Sequence, residues 1–361
     1  MRVLVVNAGS SSLKLSVLDD DAVLEETTVE KWDGAERLDP IREFLDSTPG
    51  VDAVGHRVVH GGPRFRESVA VDEDVISYLD SIDDLAPLHN PRAVAAIRAV
   101  RRLVEVPAVA AFDTSFHATI LEEAATYALP RGWNRRYSLR RYGFHGLSHA
   151  YAVRRAAEIV GRSVVDPRVV SCHLGAGASL CAVRDGRSVD TTMGFTPLAG
   201  LVMQTRAGSV DPGLVLWLLE HADVDATTLG QVLEHQSGLK GLSGTSGDYR
   251  DVVARSEAGD ADATLALDVY MHRLVREIGA MTASAGGLDV LVFTGGIGEH
   301  VPDLRAEAGR RLAHLGVVVD KAANTATADA DITAPGASVH TVVVSAAEDV
   351  EIAREVRRVL G

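Results

Sequence analysis

The sequence predicts an α/β protein that consists of two like-folded domains. Its 361 residues exceed the size at which a single core usually stops growing. Hydrophobic residues at 46% and charged residues at 24% are typical of a globular protein that buries large cores. The chain begins with a strand, a Gly/Ser-rich turn and a second strand, and the same design recurs from residue 169. This recurrence indicates an internal duplication.

The first hairpin is predicted from an apolar run at residues 3–6, a polar turn at 7–12 and an alternating run to residue 18. The turn presents backbone N–H groups, three serine hydroxyls and the ammonium of Lys14, which are donors that a polyphosphate needs. An ordinary hairpin turn explains the same residues equally well. Taken alone, this turn therefore leaves phosphate binding open.

The next segments contain a predicted strand at residues 22–29, a short helix at 40–45 and a strand pattern at 51–60. Arg57 lies among valines in that last strand, just before Gly61 and Gly62. A buried arginine is costly unless it meets an anion. Arg57 is therefore a candidate anion ligand, with a structural ion pair as the alternative.

Residues 85–117 predict a helix from 92 to about 104, preceded by His89, and then a buried strand at 106–112. Asp113 follows this strand directly. Ligands of open α/β sheets bind at the carboxyl ends of strands, so Asp113 is a functional candidate. A turn-forming aspartate remains the alternative.

The stretch YGFHGLSH at residues 142–149 lacks hydrophobic periodicity and precedes a predicted helix at 150–160. Loops of this composition are usually sites. The second hairpin follows, with strands at 169–172 and 180–183; aligning Gly9 with Gly175 brings Ser12 within one residue of Ser179. We expect the two hairpin tips to face a shared cleft and to bind one nucleotide.

The second half contains two polar loops, at 190–197 and 203–213, and the latter carries Arg206 before a helix that begins at Pro212. Residues 237–250 are rich in glycine and serine and predict a mobile loop or a domain hinge. A helix at 262–283, a strand at 289–293, a glycine-rich turn before a helix after Pro302, a strand at 339–344 and a final helix complete the chain. The glycine-rich turn would let a nucleotide approach the backbone closely, although it is not a Walker loop.

The formal charge of −14 argues against nucleic-acid and anionic-membrane partners. No apolar run reaches the roughly 18 residues that span a bilayer, and Met1 leads directly into a strand pattern, so we expect a cytoplasmic protein. Cys172 and Cys181 are predicted to be buried thiols, because two cysteines provide neither a disulfide framework nor a CxxC metal site.

Nine blocks, taken in order, make the chain resemble the acetate kinase family over essentially its whole length: NAGSSSLK, HRVVHGG, LAPLHNP, FDTSFH, YGFHGLSH, HLGAGAS, DTTMGFTP, TRAGSVDPG and FTGGIGE. The resemblance implies two duplicated ribonuclease H-like, actin-like ATPase domains around a nucleotide cleft. It divides the chain into a first domain at 1–117 plus 350–361 and a second at 118–349, which would hold the adenosine.

The resemblance also implies a reaction in which the γ-phosphoryl of ATP passes in line to acetate, giving acetyl phosphate and ADP with Mg²⁺ or Mn²⁺. It implies a homodimer formed through the second domain. It assigns catalysis to Arg57, Asp113, His145 and Arg206, and the lining of the cleft to His89 and His173. It assigns metal binding to Asn7 and Glu348. It assigns the substrate pocket to Arg57, Val59, Leu88, Phe144 and Pro197. It assigns nucleotide binding to Ser10, Ser12, Lys14, Gly175, Gly177, Gly295, Gly296, Ile297 and Gly298.

Three residues depart from the family pattern: Ala176 replaces an asparagine, Gln204 a glycine and Ser209 an aspartate. They indicate altered nucleotide affinity or loop geometry, or a changed phosphoryl donor. A propionate kinase is the nearest competing interpretation, and the volume of Val59 favours acetate over it. Three further alternatives are disfavoured. The open approach to Gly295 and Gly296 argues against a pyrophosphate-linked enzyme, Arg57 with Arg206 argues against a non-catalytic nucleotide-binding protein on the same scaffold, and the short apolar pocket argues against a sugar kinase.

Overall fold

The computed structural model describes residues 1–9, 12–32, 38–48, 50–161 and 165–361. Within these ranges no helix combines the length and the apolar character that crossing a membrane requires. The strands are β1 (Arg2–Ala8), β2 (Ser12–Asp19), β3 (Ala22–Glu30), β4 (Ala53–Val58), β5 (Val69–Ala70), β6 (Ala108–Phe112), β7 (Val169–Leu174), β8 (Ala178–Arg184), β9 (Arg187–Thr191), β10 (Val290–Thr294), β11 (Ala330–Asp331) and β12 (His340–Val343).

The helices frame these strands in chain order. They are α1 (Asp39–Ser47), α2 (Glu73–Asp80), α3 (Asn90–Arg101), α4 (Glu122–Ala125), α5 (Arg131–Arg136), α6 (Gly146–Val160), α7 (Pro212–His221), α8 (Ala226–His235), α9 (Gly238–Ser243), α10 (Tyr249–Glu257), α11 (Ala261–Ala285), α12 (Gly295–His300), α13 (Pro302–Arg311) and α14 (Glu348–Leu360). Short 3₁₀ turns occur at Asp83–Leu85, Phe116–Thr119, Ala313–Leu315 and Ala323–Thr325.

The chain divides into two compact units. The first contains Met1–Ala118, Phe144–Tyr151 and Ala347–Gly361, and the second contains Thr119–Gly143 and Ala152–Ala346. The boundaries implied by the family resemblance assigned residues 118, 144–151 and 347–349 to the second domain. In the structure residues 144–151 pack with the first unit, because the Gly146 N–H donates to the Asp113 carbonyl at 2.9 Å and Leu147 joins a core of that unit.

The first unit contains a six-stranded sheet in the order β3-β2-β1-β4-β6-β5. Strands β1, β2 and β3 form an antiparallel meander, β1, β4 and β6 are parallel, and β5 pairs antiparallel with β6. Side chains of β1 alternate between two faces, so Leu4 and Val6 pack in the core with α1 and α3, while Val3 and Val5 pack in the core with α14.

The second unit repeats this plan. Its sheet has the order β11-β12-β10-β7-β8-β9, in which β7, β8 and β9 form the meander, β7, β10 and β12 are parallel, and β11 pairs antiparallel with β12. Even the irregularity between the second and third strands recurs, at Val17/Leu18 and at Ala182/Val183. The predicted α/β class and the predicted duplication are confirmed.

Three local predictions are wrong. Residues 146–149, expected to lie in a loop before a helix at 150–160, already belong to α6. Residues 237–250, expected as a mobile loop or hinge, form α9 and lead into α10. Leu239 is completely buried, and its N–H donates to the Met203 carbonyl at 2.9 Å, so packing outweighs the glycine content. Residues 295–300, expected as a turn, form α12 immediately after β10. Cys172 and Cys181 are buried free thiols, as predicted.

Candidate active site

The parallel strands of the first unit bring polar side chains to one edge of their sheet. Asn7 lies near the carboxyl end of β1, Arg57 near that of β4, and Asp113 directly after β6. Because β1, β4 and β6 are adjacent and parallel, these three ends are neighbours. Glu348 begins α14, which packs on the same sheet.

Arg57 contacts the other three of these residues. Its Nε donates to Asp113 Oδ1 at 3.1 Å and its Nη2 donates to Asp113 Oδ2 at 2.7 Å. Its Nη1 donates to Asn7 Oδ1 at 3.1 Å, and its Nε lies 3.6 Å from Glu348 Oε2. Burial opposes the charge of Arg57, yet Asp113 and Glu348 outweigh it, so the pKa of the guanidinium is raised and it stays a cation. The side chain retains 18% of its exposure, so it can still contact a ligand.

The same cluster has the donor set of a magnesium site. Burial, with Asp113 and Asp349 nearby, raises the pKa of Glu348, although Arg57 works in the opposite direction. Crowded carboxylates and the amide oxygen of Asn7 are hard ligands that suit Mg²⁺. Among the described residues no three His, Cys, Asp or Glu side chains form a ready metal centre.

His145 lies beside this cluster in a left-handed backbone conformation, with φ of 56°. Such a conformation is uncommon for a residue with a side chain and persists only where the surroundings impose it. The next residue docks closely on the first unit, since a Cβ on Gly146 would lie 2.2 Å from the Asp113 carbonyl oxygen. Close docking of Gly146 therefore fixes His145 next to Asp113.

Lys14, predicted to contact phosphate, is held by two carboxylates. Its Nζ lies 3.0 Å from Asp349 Oδ2 and 3.2 Å from Glu26 Oε2. Asp349 also accepts from the Ser16 hydroxyl at 2.8 Å. Burial lowers the pKa of Lys14, but Asp349 and Glu26 outweigh it and the net shift is upward. The ammonium is therefore charged and 43% exposed.

In the second unit, three candidate segments converge at the carboxyl end of β7. The hairpin tip closes through the Gly175 N–H, which donates to the Gly177 carbonyl at 2.9 Å. Gly295 has φ of 78°, and a Cβ there would lie 2.8 Å from the Leu174 carbonyl oxygen, so α12 begins against this hairpin. The Gln204 N–H donates to the Ala176 carbonyl at 3.1 Å and brings in the loop that carries Arg206.

Arg206 is a half-buried cation that no carboxylate neutralises within the described ranges. Its Nη1 lies 3.5 Å from the Pro197 carbonyl oxygen and 3.9 Å from Met203 Sδ. Burial lowers the pKa of the guanidinium, and Glu234 only partly offsets that effect. A cation in this state favours an anionic ligand.

Side chains outside the loop that carries Pro197 form hydrogen bonds with its backbone. Arg141 Nη1 donates to the carbonyls of Thr191, Thr192 and Met193 at 2.9, 3.3 and 3.1 Å. The Phe195 N–H donates to the hydroxyl of Tyr127 at 2.7 Å. Arg141 and Tyr127 therefore anchor the loop that carries Pro197.

The remaining candidates are distributed as follows. His89 precedes α3 and Val59 follows β4, where it is buried, whereas Leu88 is 44% exposed. Ser12 begins β2 and His173 lies in β7. Gly296 is exposed and has open space beside it, as a close approach of adenosine would require. Ile297 and Gly298 lie in α12, and Ser10 lies outside the described residues.

Sequence reasoning missed two residues that shape these segments. Arg305 is completely buried and donates to the carbonyls of Gly298 and Glu299, at 2.9 and 2.6 Å, where α12 ends. Asp349 holds Lys14 and Ser16. An arginine on the buried face of a predicted helix was the available signal for Arg305, whereas nothing local distinguished Asp349 from its acidic neighbours.

Comparison with known proteins identifies the family. The model of the acetokinase family matches residues 35–354. An acetate kinase of Dictyoglomus turgidum is 43% identical over 397 aligned residues that cover 100% of this chain and 98% of the relative. The crystal structure of Porphyromonas gingivalis acetate kinase is similar, with a TM-score of 0.92, 34% identity and complete coverage of both chains. A propionate kinase from Francisella tularensis also has a TM-score of 0.92, with 33% identity and coverage of 99% and 100%. The chain belongs to the acetokinase family.

Proposed function

We propose that this protein is an ATP-dependent carboxylate kinase that transfers the γ-phosphoryl group of ATP to acetate, forming acetyl phosphate and ADP. The observation that carries the proposal is Arg206, a half-buried guanidinium without a carboxylate partner within the described ranges. Arg57, fixed by Asp113 and Asn7, supplies a second oriented cation. Two such arginines suit a reaction in which every participant is an anion.

The chemistry needs charge neutralisation more than proton removal. A carboxylate is already ionised at neutral pH, so its oxygen attacks the γ-phosphorus in line while the bond to the ADP oxygen breaks. Arg57 and Arg206 offset the repulsion between the carboxylate and the phosphoryl group, and His145 donates a hydrogen bond to the phosphoryl oxygens. Asp113 keeps Arg57 in one orientation through two hydrogen bonds.

Asn7 and Glu348 would hold the Mg²⁺ ion, which would neutralise phosphate charge when bound. Lys14 with the hairpin tips, and Gly295 to Gly298 of α12, would bind the phosphates and adenosine of ATP. Val59, Leu88, Phe144 and Pro197 would surround the methyl group of acetate. A reducing cytoplasm suits the free thiols of Cys172 and Cys181.

The test is hydroxamate-trapped formation of acyl phosphate from ATP and Mg²⁺, with acetate and propionate compared in parallel. We expect kcat/KM to favour acetate by about tenfold or more, because one methylene is worth about 1 to 3 kcal/mol. Arg206→Ala should lower kcat/KM at least about a hundredfold, since losing one charge-stabilising donor costs about 3 kcal/mol.

Arg250→Ala is the matched control. Arg250 also lies in the second unit, but its side chain is 86% exposed and pairs with its sequence neighbour Asp248. Pyrophosphate in place of ATP tests the changed donor that Ala176 and Ser209 suggest. Tight binding of ATP without turnover of either acid would contradict the proposal and favour a non-catalytic nucleotide-binding protein.

We propose further that the protein is a homodimer. Helix α7 contains no buried residue, and Leu214, Leu216 and Trp217 are 47%, 62% and 54% exposed. A helix this apolar is a typical contact surface between subunits.

A further inference from the structure

Two buried polar residues of the first unit, His60 and Asn90, form a pair that the reaction does not use. The Asn90 side chain accepts from the His60 N–H at 3.1 Å through Oδ1 and donates to the His60 carbonyl at 3.0 Å through Nδ2. Both residues are completely buried. The amide of Asn90 thus pairs with the backbone just beyond β4 as a neighbouring strand would.

The ring of His60 is fixed in one state. Its Nδ1 accepts from the Gly62 N–H at 2.8 Å, which requires an unprotonated Nδ1. Burial lowers the pKa of His60 to about 4, so the ring is neutral at physiological pH. Its edge packs against the ring of Phe144, with centroids 5.6 Å apart and planes at 71°.

These contacts join three residues assigned to the acyl pocket. Val59 is bonded to His60, Leu88 lies two residues before Asn90, and Phe144 packs against the His60 ring. The three come from separate segments of the chain, and the His60–Asn90 pair connects all of those segments directly. A shift of either polar residue would therefore move Val59, Leu88 and Phe144 relative to one another.

We propose that His60 and Asn90 are positioning residues that set the width of the acyl pocket and thereby decide which carboxylate chain length the enzyme accepts. This inference rests on the proposed function. The ligand class is a short, unbranched aliphatic carboxylate whose chain contacts Val59 and Phe144. Neither His60 nor Asn90 touches the reacting atoms.

Two variants separate positioning from general stability. His60→Asn keeps an acceptor for the Gly62 N–H but removes the ring that supports Phe144. His60→Phe keeps a ring and should rescue the selectivity. We expect His60→Asn to lower the acetate-to-propionate ratio of kcat/KM at least about tenfold, through the KM values of the two acids, with the KM for ATP unchanged. Asn90→Asp, which cannot donate to the His60 carbonyl, should shift the ratio in the same direction and serves if His60→Asn fails to fold.

Ile41→Ala is the control for stability, because Ile41 is a completely buried residue of α1 in a different core of the same unit. It should lower the melting temperature and leave the ratio unchanged. Protection of each variant against heat by acetate, propionate and butyrate provides a second readout that needs no turnover. Turnover with an unaltered ratio in His60→Asn and in Asn90→Asp would overturn the inference and leave the proposed function intact. Altered protection without any turnover would overturn the proposed function alone. Absence of both protection and turnover in the wild type would overturn both.

Discussion

At the scale of single residues, burial of titratable groups controls how the protein responds to acid. His56 is 1% exposed in β4, and neither of its ring nitrogens has a hydrogen-bond partner among the described residues. Burial lowers the pKa of His56 to about 3. The neutral ring behaves as an apolar side chain within the first unit.

This burial makes stability depend on pH. The pKa of His56 is about 6.5 in the unfolded chain and lower in the folded one, so only the unfolded chain takes up a proton as the pH falls below about 6.5. The contribution of His56 to stability is therefore present above pH 6.5 and is lost on acidification. It should be about 1.4 kcal/mol smaller at pH 5.5 than at pH 7.5.

Urea denaturation at these two pH values measures the effect. His56→Leu should reduce the difference between them by that amount, whereas His314→Gln, at an exposed position, should leave it unchanged. Equal pH dependence in wild type and His56→Leu would show that the ring takes up a proton in the folded state.

At the scale of elements, the start of α6 depends on one close approach. Because a Cβ on Gly146 would lie 2.2 Å from the Asp113 carbonyl oxygen, Gly146→Ala should displace α6 from β6 and move His145. We expect a loss of about 1 to 3 kcal/mol in the free energy of unfolding together with reduced kcat.

Gly230→Ala, the same substitution at a position with free space, should have the opposite effect on stability. Gly230 lies inside α8 with open space beside it, so alanine there should stabilise the protein by about 0.5 to 1 kcal/mol. Thermal unfolding and steady-state kinetics of both variants test the pair of expectations. Unchanged kinetics in Gly146→Ala would refute the coupling of α6 to the site.

The elements themselves were largely predictable, because hydrophobic periodicity is local. The hairpin that opens each meander followed from a repeated pattern, whereas β9 was not predicted, and Arg57 and Asp113 were found as polar residues at strand ends. Their mutual ion pair was not predictable, because it depends on two strands being neighbours in space. Helix α9 was missed because its glycines and serines are typical of a loop. Its glycines fit left-handed positions at the helix start and end, with φ of 63° at Gly238 and 64° at Gly244.

At the scale of the whole molecule, the exposed face of α7 predicts the oligomeric state. Trp217→Glu should convert a dimer into a monomer in sedimentation equilibrium at micromolar concentration, because it places a charge in an apolar contact. Trp133→Glu is a matched control, since Trp133 is 58% exposed on α5. A wild-type protein that sediments as a monomer would remove the basis for the dimer proposal.

The first unit is built from separate segments of the chain, and this affects how it folds during synthesis. Helix α14 packs on β1, β4 and β6, and a Cβ on Gly55 of β4 would lie only 2.6 Å from Ile352 of that helix. A ribosome synthesises β1 before the second unit and α14 after it. The sheet of the first unit therefore lacks its covering helix, α14, while the second unit is synthesised and folds. During synthesis its apolar face is a natural target for chaperones, and a truncation that removes α14 would leave that face, and the site without Glu348, permanently incomplete.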